Sequence, residues 1–321
     1  MIAKHKKSSN LANTLWWMLA GFIAFGFLLF QLLQGKNIAI LNSKGVVASQ
    51  QRSLLLYALS VVLAVAVPTV VLLYFTAWRY RESHRTATYR SEAQSGRLFN
   101  AAIWAIPSCM VLLLAMTLIP ATKRLQPNKA LAAEAKPITI EVIAMRWKWL
   151  FIYPEQNIAT VNFVEVPKNV PVKFYLTADE APMSSFWVPN LSGQLYAMTG
   201  HVNQLNVMGT ELGDFRGRSA EINGEGFAGM QFTARVTNAQ DFSTWVDATK
   251  ASAGILDRAN YKKLVAPSQN NPATNYYPVD NTLYASTVMK YMGSHDNMMN
   301  QEMLMNDQTM SHEMSAGGTS K

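Results

Sequence analysis

Three apolar runs crowd into the first third of a 321-residue chain, and they restrict its fold more than any other feature. Leu15 to Leu33 is interrupted only by Gln31, Leu54 to Ala77 carries no formal charge, and Leu98 to Ile119 has Asn100 and Ser108 as its notable polar members. Each is near the length of helix that crosses a hydrocarbon core of about 30 Å. Trp78 and Trp104 suit membrane interfaces. Pro68 and Pro107 lie inside spans, where neighbouring helices can compensate for the missing backbone bond.

Charge sets an expected orientation. Lys4, Lys6 and Lys7 precede the first run, and five arginines lie between Trp78 and Arg97. Both segments belong inside by the positive-inside rule, which puts Gln34 to Arg52 and everything after Pro120 outside. The first run reads as an uncleaved anchor, with a cleaved signal peptide as the alternative. Leu32-Leu33-Gln34-Gly35-Lys36 looks like a lipoprotein cleavage box with lysine in the place of cysteine, so acylation there is excluded. The net charge of +8 is largely this membrane flanking; no basic stripe interleaved with aromatics points to nucleic acid. The one cysteine, Cys109, sits in an apolar run and has no internal partner for a disulfide.

The pattern changes after residue 120. Segment 1–34 is the anchor or signal, 35–120 a helical hairpin, and 121–137 a linker rich in Ala, Lys and Pro. Thr139–Met145, Val161–Val166 and Val170–Thr177 read as strands between turn signals. Met230, Phe232, Ala234 and Val236 alternate with polar residues as in a half-buried strand. Residues 138–238 therefore predict an antiparallel β-sandwich. Phe242, Trp245 and Val246 fall at helical spacing and open a helical arm over 239–292, which Leu256, Tyr261 and Leu264 continue and which ends in a short helix from Leu283 to Met292. Residues 293–321, rich in Met, Asn, Ser and Gly, predict disorder. Their His295 and His312, among eight methionines between Met289 and Met314, are candidate ligands for cuprous ion. His201 is isolated, and the adjacent Asp179 and Glu180 have no evident acid–base partner.

Three motifs carry a family resemblance. Arg146-Trp147-Lys148-Trp149, followed by Phe151 and Tyr153, resembles the aromatic stretch that opens the extramembrane domain of subunit II of the haem–copper oxidases. Ser184-Ser185-Phe186-Trp187-Val188-Pro189 resembles the segment with that domain's first copper histidine, and Gly213 to Met230 resembles its second copper loop. Ile138–Val142, Phe151–Gln156 and Gly226–Met230 are similar to the quinol-oxidising branch, the cytochrome bo ubiquinol oxidases. The resemblance implies membrane helices followed by a cupredoxin-like β-sandwich and a C-terminal helical arm.

It also implies a lost metal. The histidine positions of the cytochrome c-oxidising relatives hold Ser184 and Phe227, and the cysteine positions hold Ser219 and Asn223. Only Met230 and the backbone of Glu221 match the ligand set. Hydroxyl, amide and phenyl groups cannot replace thiolate and imidazole at a soft-metal site. Met230 is then a core residue beside Phe227, and Trp147, the electron-accepting tryptophan of those relatives, is packing. The resemblance therefore predicts a non-catalytic subunit II of a proton-pumping ubiquinol oxidase that reduces oxygen to water. This chain would carry no metal or cofactor. Haems and catalytic copper are expected on subunit I, with subunits I, III and IV, lipid and ubiquinol as partners of the complex in a bacterial inner membrane. At a place where many relatives carry a proton-channel glutamate stands Asn100, which cannot donate a proton and become anionic; Glu92 is another group near such an entrance. The alternatives are an electron-accepting subunit of a cytochrome c oxidase and a membrane-anchored copper-handling protein.

Overall fold

A computed structural model describes residues 38–80, 96–252 and 254–292, with scattered helical positions between 20 and 31. Most of the expected span Leu15–Leu33, most of the arginine-rich loop with Glu92, and the Met/His tail lie outside the described residues. The chain divides into two compact units: residues 1–41 with 52–124, and residues 42–51 with 125–321.

In the first unit, helix α1 (Val46–Arg79) supplies all but its opening turns, and α2 (Arg97–Arg124) completes the hairpin. Both are long and apolar enough to cross a membrane. Their side chains confirm the apolar demand: Leu73 is 64% exposed and Met116 78% exposed, so the helices present their hydrophobic surface outward rather than to a protein core. Hydroxyls within the spans return to their own helix, Thr69 to Val65 O at 2.8 Å and Thr122 to Leu118 O at 2.9 Å. That satisfies them where water is absent. Between the helices, Thr117 Oγ1 lies 3.3 Å from Tyr57 Oη. Helix α2 runs to Arg124 and includes Pro120.

The second unit is a two-sheet sandwich. Its strands are β1 (Ile138–Met145), β2 (Lys148–Tyr153), β3 (Ile158–Val161), β4 (Phe163–Pro167), β5 (Val172–Ala178), β6 (Ser184–Trp187), β7 (Leu195–Ala197), β8 (Asn203–Val207), β9 (Gly213–Ser219), β10 (Gln231–Thr237), β11 (Gly254–Leu256) and β12 (Thr274–Val279). A seven-stranded sheet has the order β11-β12-β3-β2-β1-β5-β8, and a five-stranded sheet the order β4-β10-β9-β6-β7. The expectation of an antiparallel sandwich is corrected. β1 pairs with β5, β4 with β10, and β11 with β12 in parallel. Such pairs need long crossover connections that local sequence does not announce.

The stretch Val161–Val166, which reads as one strand, is two strands in different sheets. Asn162 makes the break in the left-handed region (φ 53°). Its Oδ1 accepts from Trp149 N at 2.9 Å, and its Nδ2 donates to Asn271 O at 2.9 Å. Asparagine tolerates this conformation because its short amide replaces the lost ladder bonds.

Between the sheets lies an aromatic core. Trp149, Phe151, Phe186 and Phe232 meet edge-on or tilted at 5.1–6.2 Å, and Phe186 stacks on Phe232 at 5.0 Å. The alternation of β10 is as expected, with Phe232, Ala234 and Val236 buried.

The arm begins with α3 (Ala239–Ser252), whose Phe242 and Val246 join this core. Helix α4 (Arg258–Val265) is capped by Asp257, which accepts from Asn260 N. Residues 283–292 form α5. These later elements build a second core on the outer face of the seven-stranded sheet. It holds Ile143, Met145, Leu150, Ile152, Leu256, Val265, Leu283, Tyr284 and Val288. Leu256 thus lies in an added strand rather than in a helix.

Asn42–Gln51 also joins the sandwich unit. Gly45 bridges Gly209, Lys44 N donates to Asn190 O at 2.7 Å, and Lys44 forms an ion pair with Glu211.

Candidate functional site

Antiparallel pairing of β6 with β9 sets Phe186 opposite Ser219. The loop after β9 then turns back on itself. Ala220 N donates to Ser185 O at 2.9 Å, and Ser219 N donates to Met230 O at 3.2 Å. A one-turn 3-10 helix, Phe227–Gly229, closes the loop, and Met230 N donates to Phe227 O at 3.1 Å. The loop rests on the Trp147 indole. Gly224 takes φ +117°, and a Cβ on Gly226 would overlap the ring, so the close approach requires glycine there. Trp147 Nε1 donates to Asn223 O at 3.3 Å.

This loop brings together Ser184, Ser219, Glu221, Asn223 and Met230. At the centre is the Asn223 side chain. Its Nδ2 donates to Ser184 Oγ at 2.8 Å and lies 3.0 Å from Met230 Sδ. Ser184 Oγ donates to Pro182 O at 3.1 Å. Ser219 Oγ donates to Glu221 O at 2.9 Å and accepts from Ser185 N at 3.4 Å. The Glu221 carbonyl, the one backbone match to a ligand set, therefore faces a hydroxyl. Ser184, Ser219, Asn223 and Met230 are all buried. The group is neutral, and its polar atoms serve one another; Asn223 Oδ1 is the one without a hydrogen-bond partner.

Such a cluster offers a cation one thioether and no anionic donor. Among the described residues no three His, Cys, Asp or Glu side chains gather as a metal site. Met230 is fully buried in the sandwich core, whereas Phe227 is half-buried and stands apart from that core. Trp147 packs against the core from its edge. Asn100 lies in the first turn of α2, where its N–H donates to Gly96 O at 3.1 Å. His201 is exposed on a loop.

Two constellations escape the sequence reading. Asp179, for which the sequence shows no acid–base partner, is the hub of the first. It accepts from Tyr291 Oη at 2.7 Å, Tyr261 Oη at 2.8 Å and Lys290 Nζ at 2.9 Å. Lys290 also bonds Glu180 at 2.9 Å, and Tyr261 Oη lies 3.1 Å from Thr287 Oγ1. Burial and the Asp179 charge push the Tyr261 hydroxyl well above its ordinary range. Burial pulls Lys290 down, but hydrogen bonds from Asp179, Glu180 and Tyr291 outweigh it, and the net direction is upward. The partners are far downstream, and the only sequence signal is Thr287, Lys290 and Tyr291 on one helical face.

Lys148 is the second. It is 2% exposed, and its ammonium donates to Leu264 O at 2.7 Å, to Ala266 O at 2.9 Å and to Ser268 Oγ. Burial lowers its pKa, while three acceptors match its three hydrogens. It caps the carboxyl end of α4, where backbone carbonyls lack partners. Both constellations bind the arm to the sheet.

Comparison with known proteins follows this geometry. The family described as cytochrome c oxidase subunit II, periplasmic domain, matches residues 153–237, and the cytochrome oxidase aromatic-rich motif matches residues 250–295. The cytochrome bo(3) ubiquinol oxidase subunit 2 of Pseudomonas putida is 41% identical over 267 residues, covering 83% of this chain and 85% of the relative. That of Pseudomonas aeruginosa is 38% identical over 260 residues, covering 81% and 78%. The ubiquinol oxidase subunit 2 of Acetobacter aceti is 38% identical over 262 residues, covering 81% and 85%. With two apolar helices, a cupredoxin-like sandwich and its aromatic-rich arm, this chain belongs to the subunit 2 family of the cytochrome bo-type ubiquinol oxidases.

Proposed function

We propose that this chain is the non-catalytic subunit II of a proton-pumping ubiquinol oxidase, which oxidises ubiquinol and reduces oxygen to water. One observation carries the reading: the former ligand positions form a neutral, buried hydrogen-bond cluster around Asn223. A soluble donor docking outside the membrane needs an accepting metal in this domain. Ubiquinol is lipid-soluble and reaches a membrane haem without one. Haems and catalytic copper accordingly sit on subunit I, and this chain carries no metal in the sandwich. It supports assembly and stability of subunit I in a complex with subunits III and IV. The complex lies in a bacterial inner membrane, its helices in lipid and the sandwich on the periplasmic side. Asn100 stands at the proton-entrance position as a hydrogen-bonding group and not as a proton donor.

The test is metal content and spectra of the purified complex. Copper is expected only at the stoichiometry of one catalytic site, with turnover on ubiquinol and none on reduced cytochrome c. The optical and magnetic signature of a mixed-valence copper pair, together with cytochrome c turnover, would overturn the reading.

A further inference from the structure

The outer face of the five-stranded sheet carries positive charge that the fold leaves uncompensated. Alternation along β9 buries Gly217 and Ser219 and exposes Asp214, Arg216 and Arg218. On β10 the outward residues include Gln231 and Arg235, and Trp187 of β6 lies opposite Arg218. At one end of this face Arg235 is neutralised, its Nε and Nη2 donating to the Asp214 carboxylate at 2.7 and 2.9 Å. The other two guanidinium groups are held by neutral groups instead. Arg216 Nε donates to Gln231 Oε1 at 2.9 Å, and its Nη2 reaches the same oxygen. Gln231 is itself fixed, with Nε2 donating to Ala228 O at 2.6 Å. Arg218 lies over the Trp187 ring, 5.9 Å from its centroid and within cation–π range. Among the described residues neither Arg216 nor Arg218 forms an ion pair. Their charge stands against an acidic background: residues 138–238 hold seven Lys and Arg and nine Asp and Glu. An amide and an indole orient the two groups without consuming their charge, so little side-chain freedom remains to be lost on binding. Arginine and tryptophan are also enriched where protein surfaces meet.

We propose that this face docks an acidic segment of a partner protein, with Arg216 and Arg218 each receiving one carboxylate. The two arginines stand two residues apart on one strand, a rise of about 6–7 Å. An extended segment with acidic residues at alternate positions presents its carboxylates at the same spacing. Guanidinium groups take planar carboxylates through paired N–H donors. The surface is separate from the former copper loop, because Ser219, next to Arg218 in the chain, is buried on the other side of the sheet.

The test places the full chain in phosphatidylcholine nanodiscs and titrates it against a fluorescent peptide of alternating Glu and Thr, read by anisotropy at low ionic strength. The peptide should bind, and the affinity should fall as salt rises. Its counterpart of alternating Gln and Thr should not bind. The double substitution Arg216→Gln and Arg218→Gln should weaken binding by about tenfold or more. Its melting temperature should match that of the parent, since both side chains are exposed. Lys262→Gln on α4 should leave binding unchanged, which separates a local site from overall charge. Absence of binding, or binding that survives the double substitution, would overturn the proposal. So would phosphatidylglycerol vesicles that displace the peptide through the same two arginines, since the face would then bind lipid. The readout involves neither metal nor quinol, so it fails separately from the function proposed above.

Discussion

Asn223 holds the former copper loop together with a single amide, which makes that side chain the most informative one to change. Its Nδ2 is the donor for both Ser184 Oγ and Met230 Sδ. Asn223→Asp turns this donor into an acceptor and buries a charge beside a hydroxyl that already donates to Pro182 O. Leaving such groups mismatched costs about 1–3 kcal/mol. Chemical denaturation of the purified chain at neutral pH should show a loss of that size, partly recovered on acidification as the new carboxyl takes up a proton. Equal stability at both pH values would mean that the loop does not depend on this bond. Substitution of the ligand residue types was legible in the sequence, because it needs only residue identity and the loop frame. The compensating hydrogen bonds were not, since Ser184 and Asn223 meet only through the pairing of β6 with β9. The same applies to Phe227: its position was readable, but its place outside the core was not.

Among the elements, the arm depends on two polar contacts with the sheet that it covers. Lys148 on β2 reaches the last carbonyls of α4. Lys148→Met keeps the apolar stem but takes the donor from three partly buried contacts, a loss of about 1–3 kcal/mol for each acceptor that water does not reach. Hydrogen exchange should quicken across residues 254–292 while β1 and β5 stay protected; unchanged exchange in the arm would refute the anchoring role. Glu141 on β1 acts in the opposite sense. Burial pushes its carboxyl from an ordinary 4.5 up to about 7. A raised carboxyl binds its proton more tightly in the folded state, so its stabilising contribution is full below about pH 4.5 and is lost as pH rises through about 7. The melting temperature should therefore fall between pH 5 and pH 8, and Glu141→Gln should flatten that slope; a slope retained in the variant would assign it elsewhere. Helical spacing made α3 and α5 legible, because amphipathic periodicity is local. The strands β11 and β12 were hidden: β11 has three residues and β12 contains Pro278, so neither shows a sustained alternation.

At the scale of the molecule, the arm is part of the sandwich and not an appendage. It supplies one side of the second core and the two strands, β11 and β12, that extend one edge of the larger sheet. Ending the chain at Asn238 would uncover Ile143, Met145, Leu150 and Ile152, whose burial is worth roughly 1.5–3 kcal/mol for each side chain. It would also strip β3 of its partner β12. Such a truncated chain, tagged and extracted from membranes, should recover little haem-bearing partner; recovery at the full-length level would show that the arm is dispensable for assembly. The strand β12 also has a temporal consequence. It joins the sheet beside β3, although more than a hundred residues of synthesis separate the two. Until β12 has been delivered, β3 offers an open ladder to any passing strand. The nascent domain must then be shielded from its neighbours, and closing of that seam reports that the arm has been delivered as far as β12.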